Sequence, residues 1–169
     1  LQSCNVCASC VSIEAVGAQF KVKIPTLGIN EFMSQADIMF CLIYSKFGRD
    51  MLPVKPVVGI VESEIMENLS FIIKTFSTAK TINKYFKTNL ELVESMKKDL
   101  NNGSAITLSY LTDYNSGHYI SVVNWDGNKF YAYDSWADNI HCQKGGVLEE
   151  YSPEFFIKRA RSRYIEVFQ

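Results

Sequence analysis

The chain opens on a small, apolar-rich stretch from about residue 4 to residue 16. Gly17 closes it, as suits a helix with a glycine just past its end. Phe20, Val22 and Ile24 then alternate with Lys21 and Lys23, the period of two expected of a half-buried strand, until Pro25 stops it. Asn30 precedes a predicted helix running to about Tyr44. After a loop with Gly48, Pro53 and Pro56 come a short apolar run over 57–61 and a predicted helical stretch over about 63–86, in one piece or two. A further helix is predicted over about 90–100, ending at Asn102 and Gly103. The remainder reads differently: 105–111, 118–125 and 129–134 are short, rich in Ile, Val, Tyr and Phe, and predict strands in close succession. Ser152 as cap and Pro153 at the first helical position predict a last helix to about Arg161, followed by a closing strand over 164–168. Helices first and antiparallel strands later predict an α+β fold. With no repeat, low-complexity tract or shift of composition, residues 1–169 read as one domain.

Composition narrows the partners. A chain of 169 residues, 47% of them hydrophobic, buries roughly 70% of the surface its unfolded form exposes and needs no disulfide or metal to hold it together. Seventeen basic against eighteen acidic side chains give a net charge of −1, without the electrostatic footprint of a protein that coats nucleic acid or anionic membrane. A protein or a small molecule is the expected partner. No run approaches the 18 or so apolar residues of a membrane helix, and no basic region leads into an apolar one at the start. The chain as given is therefore expected neither to span a membrane nor to carry a signal peptide. Its five cysteines, three of them at Cys4, Cys7 and Cys10 and the others at Cys41 and Cys142, do not form a secreted disulfide pattern and read as belonging to a reducing compartment.

Only His118 and His141 can supply an imidazole. His141 sits in the polar stretch 138–143 and reads as a solvated loop residue. His118 follows Gly117 and opens the alternating run His118, Ile120, Val122, Asn124, so it is held at the mouth of a strand. A three-residue loop of Trp125, Asp126 and Gly127 would pair Asn124 with Asn128. In that register His118 lies directly opposite Asp134, with Cβ atoms about 4.5–5.5 Å apart, close enough for a carboxylate to bind the ring N–H and fix the tautomer. A two-residue Asp126-Gly127 turn would shift the pairing by one and put the two on opposite faces.

A histidine oriented by a carboxylate calls for a nucleophile, and the cysteine cluster at a predicted helix start is the candidate. Helix N–H groups and dipole favour the thiolate, a neighbouring imidazolium favours it further, and the same amides could line an oxyanion hole. A helix begun at Cys4 leaves about thirteen residues before Gly17, with Cys7, Val11 and Ala15 on the inward stripe. One begun at Cys10 leaves barely two turns, and one begun at Cys7 places Glu14 on that stripe. Cys4 is preferred, with Cys7 as its competitor, although the ordinary fate of such cysteines is to pack as small apolar residues. Cys4, Cys7 and Cys10 with His141 and Cys142 could also be read as a zinc set, but a second matching pair is absent. No metal or cofactor is expected.

The order of a cysteine on an early helix, a histidine opening a strand, and an acidic residue sixteen positions later followed by Ser135 and Trp136 resembles the papain-like cysteine hydrolases. Papains carry Asn within Asn-Ser-Trp at the third position. Asp134-Ser135-Trp136 is similar to the Asp variant of many bacterial members, and an amide at 134 is accordingly expected to retain some activity. The run from Gly117 to Val123 resembles the His strand of bacterial peptidases that cut double-glycine leaders. Cys4-Asn5-Val6-Cys7, with Gly17 thirteen residues after Cys4 and then Val22, is similar to the papain-fold toxin and effector group that includes glutamine deamidases delivered by pathogenic bacteria. In that group the first cysteine of the pair is the nucleophile.

The resemblance implies Cys4, His118 and Asp134 as catalytic residues, and an N-terminal catalytic helix and helical middle packed on a C-terminal antiparallel sheet. It also implies a monomer, secreted or translocated into the host cytosol, that acts on a host protein. The amide would be a Gln side chain or, as in a cysteine protease, a peptide bond. Two features depart from the group. Ser3 stands where Asn is usual, and Gln2, two residues before Cys4 and five before Cys7, is spaced more like a papain oxyanion Gln if Cys7 is the nucleophile. A non-catalytic interaction module on the same fold is the alternative of another class.

Overall fold

The computed structural model describes residues 70–75, 77–113, 117–134 and 148–169. Cys4, Cys7, Cys10, Cys41, Cys142, Gln2 and His141, and the predicted elements before residue 70, lie outside them. Within the described residues, β1 (Lys80–Tyr85), β2 (Ala105–Leu111), β3 (Gly117–Trp125), β4 (Phe130–Asp134), β5 (Leu148–Tyr151) and β6 (Ala160–Phe168) form one sheet. Its order is β1-β6-β2-β3-β4-β5, and every neighbouring pair is antiparallel. Helices α1 (Asn89–Asn101) and α2 (Pro153–Arg159) pack against it. The fold is α+β, as the sequence predicts. No helix among the described residues is long and apolar enough to cross a membrane.

Local chemistry sets the helix ends. Thr88 caps α1, its hydroxyl accepting from Glu91 N at 3.2 Å, while Glu91 reaches back to accept from Lys87 N at 3.0 Å. At the other end Asn102 closes the helix, and Gly103, at φ +85°, turns the chain into β2 in the left-handed region that favours glycine. Ser152 caps α2 and Pro153 is its first residue, as read from the sequence.

Strand alternation sends Ile106, Leu108, Ile120, Val122, Phe130 and Ala132 to one sheet face. There they meet Leu92, Val93, Met96 and Leu100 of α1 and Phe156 of α2. Each such fully buried large apolar side chain stabilises the fold by about 1.5–3 kcal/mol. Thr107, Ser109, Ser121, Ile165 and Val167 of the opposite face are buried too.

Two expectations are corrected. The helix predicted to reach residue 86 gives way to strand β1, which pairs with β6 from Lys80↔Phe168 to Tyr85↔Arg163. As an edge strand it need not bury an alternating face, and its two large apolar side chains, Ile82 and Tyr85, remain 45% and 68% exposed at a spacing of three that imitates a helix. The closing strand begins at Ala160 rather than Tyr164. It carries an irregularity opposite the Leu108 to Tyr110 step, where Ser162 sits at φ 55°.

Two side-chain networks hold these irregular parts. Asn89 donates through Nδ2 to the carbonyls of Ile157 (3.0 Å) and Ala160 (2.8 Å) and accepts on Oδ1 from Ser162 N (2.9 Å) and Ser162 Oγ (2.7 Å). It thereby ties α1, the end of α2 and the bulge together. On the other side Lys84 of β1 reaches Asp99 of α1 at 2.7 Å and Glu166 of β6 at 2.6 Å. Tyr164 hydrogen bonds to the same Asp99, and Ser104 Oγ donates to Glu166 at 2.6 Å.

Candidate active site

His118 and Asp134 are brought together, by a register the sequence did not predict. The β3–β4 hairpin closes with Trp125 opposite Phe130, and Asn124 faces Tyr131. The three-residue loop pairing Asn124 with Asn128 is therefore incorrect. Continued without interruption, this ladder would set Ser121 against Asp134 and leave His118 on the other face. A bulge between Val122 and Asn124 removes that offset, so Val122 pairs with Ala132 and Ile120 with Asp134. His118 is then two residues along from Asp134's partner, on the same face, a diagonal that long side chains can span. Its Nε2 lies 2.6 Å from Asp134 Oδ1. The pair is enclosed, His118 being 5% and Asp134 4% exposed. A carboxylate can only accept, so the ring proton is on Nε2 and Nδ1 carries the basic lone pair.

Two tyrosines complete the arrangement. Tyr110 of β2 is the direct cross-strand partner of His118, its ring edge-on to the imidazole with centroids 5.5 Å apart. Its hydroxyl donates to Asp134 Oδ2 at 3.3 Å. Tyr151, the last residue of β5, donates to the same oxygen at 2.6 Å. Burial first, and then the hydrogen bond to Asp134 and its negative charge, push both phenols well above the usual tyrosine range, so both remain protonated donors. Phe155 of α2 lies against both rings, with centroids 5.0 Å from Tyr110 and 4.9 Å from Tyr151. Arg159 of α2 holds Asp113 at 2.5 Å and the carbonyl of Leu111 at 3.2 Å, fixing the end of β2 from which the chain turns toward His118.

Sequence reasoning missed both tyrosines. Tyr110 could have been found by pairing 105–111 with 118–125 across the intervening turn, which sets it against His118. Tyr151 had no such signal, because Leu-Glu-Glu-Tyr is too short and too acidic to read as a strand. The candidate nucleophile Cys4 and its competitor Cys7 lie outside the described residues, as do all the proposed zinc ligands. Among the described residues no three His, Cys, Asp or Glu side chains are grouped to hold a metal ion. The arrangement supplies an imidazole whose one N–H is fixed by a buried carboxylate and whose other nitrogen can take a proton.

No protein-family profile matches the chain, and no curated protein sequence does. Among solved structures, the chain is similar to the Pseudomonas avirulence protein AvrPphB at 12% identity and a TM-score of 0.45, over 98% of this chain and 92% of that one. It is also similar to a double-glycine-motif protease from an AMS/PCAT transporter, solved in complex with the leader peptide. There the identity is 14% and the TM-score 0.39, over 88% of this chain and 94% of that one.

Proposed function

We propose that this chain is a papain-like thiol hydrolase that cleaves an amide of a protein substrate, with Cys4 as nucleophile, His118 as general base and Asp134 as the residue that orients it. The observation that carries this reading is the enclosed pair of His118 Nε2 and Asp134 Oδ1, 2.6 Å apart. Nδ1 of His118 takes the thiol proton, the thiolate attacks the carbonyl carbon, and the imidazolium returns that proton to the departing nitrogen. Asp134 stabilises the imidazolium without itself accepting a proton, as the acid of such triads does. Water, deprotonated by the same imidazole, then attacks the thioester, releasing a carboxylate and restoring the thiol. Every step uses side chains and water.

The similarity of Cys4, Cys7 and Gly17 to the pattern of the papain-fold effector deamidases favours a Gln side chain as the amide, so that ammonia leaves and a host protein gains a Glu. Peptide-bond cleavage by the same groups is the second reading, favoured by the likeness of the Gly117 to Val123 run to the His strand of leader peptidases. The test begins with mass-spectrometric mapping of the cysteine that reacts with sub-stoichiometric iodoacetamide at neutral pH, on wild type and His118→Ala. Fast labelling of Cys4 that depends on His118 supports the hydrolase, and labelling of Cys7 moves the nucleophile one turn along. Slow, uniform labelling of all five cysteines sinks the proposal in favour of an interaction module. Host proteins incubated with the active chain then show either the small mass gain of Gln-to-Glu conversion or new chain termini.

A further inference from the structure

His118 and Arg161 are each the second residue of a strand, the one in β3 and the other in β6. Both strands start at the same end of the sheet, where Tyr110 of β2 pairs with His118 on one side and with Ala160 on the other. From β6 the Arg161 side chain reaches past β2 and lies on the backbone of Gly117. A Cβ at that glycine would stand 3.1 Å from Nη2 and 3.2 Å from Cζ. Tyr119, on the same face as Gly117, feels this charge too: burial raises its phenol, and Arg161 pulls it back. Arg161 is exposed, and among the described residues no carboxylate is paired with it. Arg159, two residues earlier, is by contrast held by Asp113 at 2.5 Å. We propose that Arg161 is a specificity residue whose guanidinium receives an acidic side chain of the protein substrate, as the substrate chain passes over the start of β3 to the amide that is attacked. This rests on the reading of His118 as the base for a thiol.

The glycine before the histidine makes the placement possible. Gly117 has no left-handed φ, so its bare position answers to space and not to backbone strain, and a side chain there would push the guanidinium off β3. A guanidinium keeps its charge at every working pH and offers a planar fork of donors that matches a carboxylate through two parallel hydrogen bonds. Resting on backbone, it has less freedom to lose when it binds. Leu111, the cross-strand partner of Gly117, adds a 38% exposed apolar side chain beside it. The whole chain carries a net charge of −1, so a preference for acids at this end is local and not a general attraction for anions. Consecutive residues of a strand face opposite ways, so the imidazole and the guanidinium flank the start of β3 from its two faces. Each stands about half a sheet-to-sheet spacing from the strand, which puts them roughly 10 Å apart. An extended chain covers that span in about three residues. The acid is therefore expected about three residues from the attacked amide.

The test compares iodoacetate with iodoacetamide, two probes of nearly equal size that differ in charge, by the rate at which each labels the reactive cysteine of the full chain. At low salt the ratio of iodoacetate to iodoacetamide rates falls roughly fivefold from wild type to Arg161→Gln. Arg161→Lys lies between them, and the gap closes as added salt shortens the Debye length. Lys158→Gln, which removes an exposed cation of α2, keeps the wild-type ratio and separates a local effect from the loss of one charge anywhere. Peptides from a digested proteome, read for new termini and for Gln-to-Glu conversion, then give the spacing. Wild type favours Asp and Glu about three residues from the modified site, and Arg161→Glu exchanges that preference for Lys and Arg. Where no peptide is turned over, the labelling ratio alone decides. The proposal is overturned if Arg161→Gln keeps the wild-type ratio, if Lys158→Gln lowers it equally, or if Arg161→Glu keeps the preference for acids. Labelling that depends on His118 but whose charge preference ignores Arg161 removes this proposal and leaves the hydrolase standing. Labelling that is unchanged in His118→Ala removes both.

Discussion

Replacing Asn89 by Ala tests whether one side chain holds the junction of α1, α2 and β6. The amide makes four hydrogen bonds there, of which the one to the Ile157 carbonyl is exposed and the other three are part-buried. At about 1 kcal/mol net for each part-buried bond, the loss is about 3 kcal/mol. The better helix propensity of Ala offsets roughly 0.6 kcal/mol of it. A destabilisation of about 2–2.5 kcal/mol is therefore expected, a large share of the 5–15 kcal/mol typical of a domain. Urea unfolding followed by circular dichroism measures it as a lower midpoint with an unchanged slope. Ser162→Gly is the companion. It loses one hydroxyl bond worth about 1 kcal/mol but relieves a left-handed backbone that costs about as much, so its midpoint should hardly move. A loss below about 0.5 kcal/mol for Asn89→Ala, within the usual range of inconsequential surface changes, would refute the four-bond account.

Other expectations follow from the same structure. Burial raises the phenols of Tyr110, Tyr151 and Tyr164 above the ordinary tyrosine value of about 10. Their neutral forms contribute stability that is complete below pH 10 and is lost as pH rises beyond it, because the unfolded chain then holds fewer protons than the native one. Absorbance titration should show these three of the nine tyrosines ionising only as the fold opens, and phenolate formed within an intact fold would contradict this. Lys84→Met leaves Asp99 and Glu166 facing each other without their shared cation. Removing one partner of a fully buried pair costs about 3–5 kcal/mol, and since Lys84 is partly exposed the expected loss is about 2 kcal/mol, read by chemical denaturation. Gly127→Ala meets no atom within 4 Å, so its cost is that of φ +98° alone, about 1–2 kcal/mol. A neutral result in the same assay would show that the hairpin turn relaxes.

What was legible in the sequence divides by how many partners an element needs. Helix α1 was readable from its Asn102-Gly103 stop, α2 from the Ser152-Pro153 cap, and strands β2, β3 and β4 from their runs of β-branched and aromatic residues, all of them local signals. β1 and β5 were not, since both lie at sheet edges and take their conformation from a single neighbour. The dyad was half legible. His118 and Asp134 were chosen for their chemistry and do touch, but the register reached by counting was off by two residues. An error of one residue would have separated them, so even parity rescued the inference. A bulge leaves no mark in composition, because the residue it displaces, Val123, is an ordinary strand residue.

That displaced residue gives the hairpin something like a reading frame. On one side of Val123 the ladder counts in one phase, and on the other it has been reset by one. Deleting Val123 would leave Val122 against Ala132 and Ile120 against Asp134, so the histidine and the carboxylate would stay on a common face in a straighter ribbon. Inserting a single residue anywhere between His118 and Val122 would turn His118 to the far side of the sheet while altering no side chain. For this chain, the spacing of residues between the two members of the dyad is as much a part of the site as their identity.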